Sequence, residues 1–151
     1  MKYAGLLAII LYKATHKVNM KNKYFKLARN VSELSDYPRH HIGCVVVYKG
    51  KVISTGYNCT KTHPLQKAYN KERFPDDCSP HSMHAETHAL CSIRGMDIDW
   101  NKAVIYNYRE HKDGSLGLAR PCKSCMKLIR DMGIRKICYT TNEGMAEEEI
   151  C

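Results

Sequence analysis

The chain has 151 residues, 44% of them hydrophobic and 26% charged. That suits one globular domain and excludes a long disordered tract or an array of repeats. The formal charge is +9, but residues 1–30 carry seven basic and no acidic side chains, so the rest of the chain is nearly balanced and any nucleic-acid footprint is confined to one end.

The longest apolar run, Tyr3 to Tyr12, falls short of the roughly 20 residues of a membrane-spanning helix, so no membrane is expected. Lys2 before that run has the look of a secretion signal, yet Lys13-Ala14-Thr15-His16-Lys17 makes a poor cleavage site. Residues 1–19 therefore read as an N-terminal extension, an extra helix packed on the domain, or a segment ahead of a true start at Met20. Residues 20–151 read as a single domain. Of the eight cysteines, Cys44 and Cys138 lie in apolar strand-like runs and Cys91 in a predicted helix. Cysteines so placed pack as small hydrophobes, which fits a reducing cytoplasm.

Residues 21–34 read as a helix, with Tyr24, Phe25, Leu27, Ala28, Val31 and Leu34 interleaved with Lys and Arg, ended by Asp36-Tyr37-Pro38. The β-branched run Ile42 to Tyr48 and the shorter run Lys51 to Gly56, with Gly50 between them, predict a hairpin. Tyr57 to Met83 is polar and reads as one long loop, a kind that is often functional. His84 to Arg94 predicts a helix stopped by Gly95. Lys102 to Tyr108 reads as a strand, and Arg109 to Arg120 as a second loop. Pro121 opens a helix that runs to Met132 and closes at Gly133. Ile134 to Tyr139 is the last clear strand, and the tail with Glu147, Glu148 and Glu149 is expected to be a short helix or frayed. Two strands joined through a helix should be parallel, so the fold class is α/β. The expected sheet is mixed, with an N-terminal hairpin and helices on its faces.

Two stretches carry chemistry. His84-Ala85-Glu86 and Pro121-Cys122-Lys123-Ser124-Cys125 each open a helix after a loop. Cys122 and Cys125 are three apart and share a helix face. Two thiolates and one imidazole give Zn²⁺ three ligands and leave its fourth position to water. Helix N-termini favour thiolates through their partial positive charge. Such a site brings the pKa of bound water to around 7. Glu86, two residues past His84, is badly placed to be a fourth ligand and well placed to take and pass on the water's proton. H-x-E followed by P-C-x-x-C is the signature of the zinc-dependent nucleobase deaminases.

On these residues the chain resembles the cytidine deaminase superfamily, and within it the deoxycytidylate (dCMP) deaminase group, viral and bacterial members included. The resemblance covers residues 21 to about 141. Tyr37-Pro38-Arg39-His40-His41-Ile42-Gly43-Cys44-Val45-Val46-Val47 is similar to that group's first strand, and Ser54-Thr55-Gly56-Tyr57-Asn58 to the end of its second. It implies a three-layer α/β/α sandwich. It also implies that Asn58 contacts the sugar, that the Ala85 backbone N–H contacts the base carbonyl, and that Glu86 protonates the ring nitrogen. Zinc hydroxide then attacks the carbon bearing the amino group, and ammonia leaves. A cytoplasmic homo-oligomer is implied too, in a host's cytoplasm if the chain is viral. The chain departs from the group at Cys59, where a glycine is usual, in Thr62-His63-Pro64-Leu65-Gln66, and in the longer loop Asp113 to Arg120. Both loops should frame the pocket mouth.

Other residues are weaker candidates. Arg39, His40, His41, Lys61, Arg109, Lys112 and Arg120 are candidates for a substrate phosphate, because arginine forks suit phosphate. Tyr57 and Tyr108 are candidates to stack on a base. Cys78, His81, His63 and His88 offer a second, structural zinc site, against the plainer reading as surface polar residues. The function expected is hydrolytic deamination of a free cytosine nucleotide, dCMP first. The alternatives are deamination of a base within RNA or single-stranded DNA, and a zinc module without catalysis. Basic residues beside stacking aromatics would mark the former, and Glu86 argues against the latter.

Overall fold

The computed structural model describes residues 22–73 and 81–151. The expected helix in residues 1–19, the start at Met20 and the candidate ligand Cys78 lie outside the described residues. A first helix, α1, covers residues 22–32, inside the span its periodicity predicts. The strands β1 (Ile42–Tyr48) and β2 (Lys51–Tyr57) form the expected antiparallel hairpin. There follow β3 (Cys59–Thr62), α2 (Pro64–Asn70), β4 (Ser82–Met83), α3 (Ala85–Cys91), β5 (Ala103–Arg109), α4 (Lys123–Met132), β6 (Lys136–Thr141) and β7 (Gly144–Glu149).

The main sheet has five strands in the order β2-β1-β5-β6-β7. β5 and β6 are parallel and joined through α4, as the crossover argument requires, and the other pairs are antiparallel. Alternation along the strands sorts the side chains onto two faces. Val45, Val47, Tyr106, Tyr108 and Cys138 pack with Tyr24, Phe25 and Ala28 of α1. Cys44, Val46, Ile105 and Ile137 pack with Ala85, Ala89 and Leu90 of α3, Ile129 of α4 and Leu65 of α2. The result is a three-layer α/β/α sandwich. Cys44 and Cys138 are fully buried core residues, as expected.

Two stretches differ from the sequence reading. Tyr57 to Met83 is not one loop. Cys59 is buried and pairs with Met83 across the small β3–β4 sheet, so it ties the chain directly ahead of His84. Between these strands α2 starts at Pro64, with His63 as its cap: His63 Nδ1 accepts from the Leu65 N–H at 3.1 Å. The tail is neither helical nor frayed. β7 pairs with β6 from Gly144 to Glu149, and its glutamates are held from outside: Lys136 meets Glu147 at 2.7 Å, and Arg120 meets Glu148 at 2.7 Å. Glutamate is depleted in strands, which hid this one, but charge suits an edge strand.

The sheet also fixes where α3 lies. A Cβ on Gly56 would fall on the backbone of Ala85 and Ala89, so only glycine lets β2 pack so closely against that helix. Among the described residues, no helix is long and apolar enough to cross a membrane.

Candidate active site

His84 and Cys122 are the N-cap residues of α3 and α4, both in extended backbone conformation and neither using its side chain to cap. Their side chains are therefore left to each other. Cys122 Sγ and Cys125 Sγ lie 3.4 and 3.3 Å from His84 Nδ1. Ligands about 2.0–2.3 Å from a tetrahedral zinc stand about 3.6 Å apart, so the trio fits that ion with only a slight expansion. Among the described residues, these three are the one group of potential ligands that lie together, within 4.8 Å of one another. The charge distribution suits a cation. A hydrogen bond from Cys125, then one from the His84 ring, pulls the Cys122 thiol far below its ordinary pKa. Its bond to Cys122, and burial, push the Cys125 thiol the other way. Burial works against a charged His84, but the bond to Cys122 and the charge of Glu86 outweigh it and raise that residue.

Several residues that carry no sequence signature hold the trio. The His84 N–H donates to Gln66 Oε1 at 3.0 Å, and Gln66 Nε2 donates to Asn70 Oδ1 at 2.8 Å. Both α2 side chains are fully buried, so α2 is a strut for the metal ligand. Thr87 Oγ1 lies 3.9 Å from Cys125 Sγ.

Glu86 follows in the first turn of α3 and is 5% exposed. Asn107, on β5, donates from Nδ2 to Glu86 Oε1 at 2.7 Å and to the Ala119 carbonyl at 3.2 Å. With two acceptors on one amide nitrogen, the orientation of Asn107 is settled. Burial, and then the charge of Cys122, raises the pKa of the Glu86 carboxyl, while His84 and Asn107 work against the rise. Asn107 is thus a site residue that the sequence reading missed. A lone asparagine in a strand gives no pattern to find it by.

These groups face a cleft of about 300 Å³, whose lining includes His84, Ala85, Glu86 and Cys122. Of the expected substrate contacts, Asn58 and Ala85 line it, as does Arg120. Asn58 Oδ1 accepts from the Ile42 N–H and Ser35 Oγ, each at 2.8 Å, and its Nδ2 donates to the His40 carbonyl at 2.8 Å. One N–H of that amide is left for a ligand. Ala85 is the first residue of α3, where the helix itself offers its N–H no acceptor. Arg120 points both fork nitrogens at Glu148, at 2.9 and 2.7 Å. Arg39 lines a neighbouring cavity instead. Tyr57 is not in the cleft lining. Its ring meets His88 edge-on at 4.6 Å, and Tyr37 is the tyrosine at the cleft. Tyr108 packs against the α1 layer, and Glu110 accepts its hydroxyl proton at 2.6 Å.

Among the described residues, the candidates for a second zinc do not form a metal-holding group. His63 caps α2, and His81 Nδ1 lies 3.0 Å from Asn70 Nδ2. His88 Nδ1 is engaged with the backbone of Tyr57. The loop after β5 is built rather than slack. Glu110 bridges to Leu116, and Thr140 Oγ1 donates to the Gly117 carbonyl at 2.8 Å. This brings Leu118 and Arg120 to the cleft mouth, where the sequence places that loop.

Comparison with known proteins agrees with this geometry. The family model for the cytidine and deoxycytidylate deaminase zinc-binding region matches residues 18–141. The chain is 30% identical over 132 residues to deoxycytidylate deaminase of Saccharomyces cerevisiae, an alignment taking 83% of this chain and 38% of the yeast protein. It is 25% identical over 130 residues to deoxycytidylate deaminase of Schizosaccharomyces pombe, over 81% of this chain and 37% of that one. The chain therefore spans well under half the length of these curated relatives. Among solved structures, dCMP deaminase from the cyanophage S-TIM5 superposes with a TM-score of 0.56 at 25% identity, covering 80% of this chain and 82% of the phage chain. Cytidine deaminase from Burkholderia pseudomallei gives 0.60 at 18% identity, covering 85% and 91%, a likeness of fold.

Proposed function

Because the chain belongs to the cytidine and deoxycytidylate deaminase zinc-binding family, we propose that it hydrolyses the amino group from a cytosine nucleotide, dCMP first, giving the uracil nucleotide and ammonia. The carrying observation is the buried Glu86 carboxylate, held by Asn107 beside the His84, Cys122 and Cys125 group at the wall of one cleft. The relatives named deoxycytidylate deaminase support the choice of nucleotide.

Zinc held by His84, Cys122 and Cys125 supplies a Lewis acid that makes water nucleophilic near neutral pH. The protein's own groups do the rest. Water oxygen bonds to the ring carbon that bears the amino group, and the carbon–nitrogen bond breaks. Both water protons must travel, one to the adjacent ring nitrogen and one to the departing amine. Among the described residues, Glu86 is the one carboxylate lining the cleft, and its Oε2 carries those protons in turn while Oε1 stays on Asn107. The Ala85 N–H, at the start of α3, is placed to bind the base carbonyl. The free N–H of Asn58 is placed to bind the sugar. Leu118 and Tyr37 line the cleft and cover the base.

The test is ammonia release from a panel of cytidine, dCMP, dCTP, guanine and a single-stranded oligonucleotide, with Glu86→Gln as the blank. A zinc-loaded Glu86→Gln protein should lose about 10²–10⁴ in kcat while keeping its metal. Normal turnover by that variant would overturn the mechanism.

A further inference from the structure

A second cavity, separate from the metal ligands, adjoins the catalytic cleft. It has a volume of about 360 Å³ and shares two wall residues with the cleft, His40 and Arg109. Arg39 and Lys112 add positive charge to its lining, which also includes His41 and His111. Two carboxylates line it as well, Glu33 and Glu110. Glu110 is already committed to Arg29 at 3.2 Å and to the Tyr108 hydroxyl. The cavity is therefore basic by composition and by pairing.

Arg109 lies between the two spaces. It ends β5, faces both spaces, and has no carboxylate partner among the described residues. Its Nε is buried and without an acceptor. Buried donors normally have partners, and an arginine kept without one is a seat for an anion. The loop after β5 packs over it: a Cβ on Gly117 would come within 3.1 Å of the Arg109 side chain. The Arg109 charge is felt across the shared wall, where, after burial, it helps lower the pKa of His40.

We propose that this cavity is a second anion site, continuous with the catalytic cleft through Arg109, and that it takes the outer phosphates of a cytosine nucleoside di- or triphosphate. Arg109 meets the phosphate nearest the sugar, and Arg39 and Lys112 meet the phosphates beyond it. A nucleic-acid strand fits less well. Strands are held by aromatic platforms between the phosphate contacts, and no tyrosine, phenylalanine or tryptophan is in the cavity's described lining. The inference rests on the cleft being the base-binding site of a cytosine nucleotide deaminase, as proposed above.

The probe is inorganic triphosphate, titrated by calorimetry into the zinc-loaded full chain, so that binding is read without turnover. The double variant Arg39→Ala/Lys112→Ala should bind it at least about tenfold more weakly than wild type. Lys49→Ala/Lys51→Ala removes the same charge at the opposite end of β1 and β2, and it should match wild type within about twofold. All four side chains are exposed, so neither change threatens the core. In turnover, Arg39→Ala/Lys112→Ala should lower kcat/KM for dCTP by a larger factor than for dCMP. No triphosphate binding, or equal loss in both double variants, overturns the site. So does an oligonucleotide that outperforms dCTP and alone loses affinity in Arg39→Ala/Lys112→Ala. If triphosphate binds as expected but no cytosine compound is deaminated, the deaminase reading fails and the anion site stands.

Discussion

The floor and the mouth of the cleft are built in different ways. The floor is two helix N-termini. His84, Glu86, Cys122 and Cys125 come from stretches that open α3 and α4, and three of them are tied by a buried partner: Gln66 for His84, Asn107 for Glu86, Thr87 for Cys125. The mouth is side chains on loops. Leu118 is 51% exposed, and Arg73 and Arg120 are exposed too. Chemistry needs reacting groups fixed in advance, so it is placed on rigid elements. Substrate choice is carried by the exposed rim, where changes of residue cost little stability. The contrast teaches that damage at the floor should appear in metal content and kcat, and damage at the mouth in KM.

The largest effect is expected at the metal ligands. Cys125→Ala should abolish zinc retention and all deamination, read by metal analysis alongside ammonia release. Dialysis against a chelator should do the same reversibly, with activity returning on addition of zinc. Next in size after Glu86→Gln comes Asn107→Leu, which keeps the shape of the side chain but frees Glu86. It should lower kcat by about 10–100-fold at nearly constant KM and zinc content. An unchanged kcat would make Asn107 a packing residue only. At the mouth, Leu118→Ser should raise KM for the nucleotide by about 10-fold or less and leave kcat within about twofold. A fall in kcat alone would show that rim and floor are not separable.

The smallest effect concerns the last strand. The Arg120 guanidinium, then the Tyr139 hydroxyl, hold the Glu148 carboxyl down to about 2. A depressed carboxyl stabilises the fold above its unfolded pKa, and that contribution is lost as pH falls from about 4.5 towards about 2. Both partners are substantially exposed, so the contribution is about 1 kcal/mol or less. Wild type should be slightly more resistant to urea than Glu148→Gln at pH 7, and the difference should vanish near pH 2. A gap that widened on acidification would remove Arg120–Glu148 as its source.

The layers of the fold and the metal trio were legible in the sequence because their signals are local. Val45 and Val47 alternate with Cys44 and Val46, Gly133 closes α4 in the left-handed region at φ 94°, and Pro121 precedes its start. Cys122 and Cys125 share a helix face by spacing alone. The remainder depends on meetings between distant residues. Gln66 reaches His84 across 18 positions, Asn107 reaches Glu86 across 21, and Arg120 reaches Glu148 across 28. None of those pairs has a period or a motif, since each partner is an ordinary polar residue whose role is set by what the fold brings beside it. The sequence by itself determined which atoms can hold zinc, which carboxylate stands next to them, and that helices flank a mixed sheet. Only the tertiary structure decided that three glutamates form an edge strand, that α2 braces His84, and that Arg109 lies between two cavities with no carboxylate partner among the described residues. Spacing along the chain controls local geometry, and burial and pairing are settled only when the layers close.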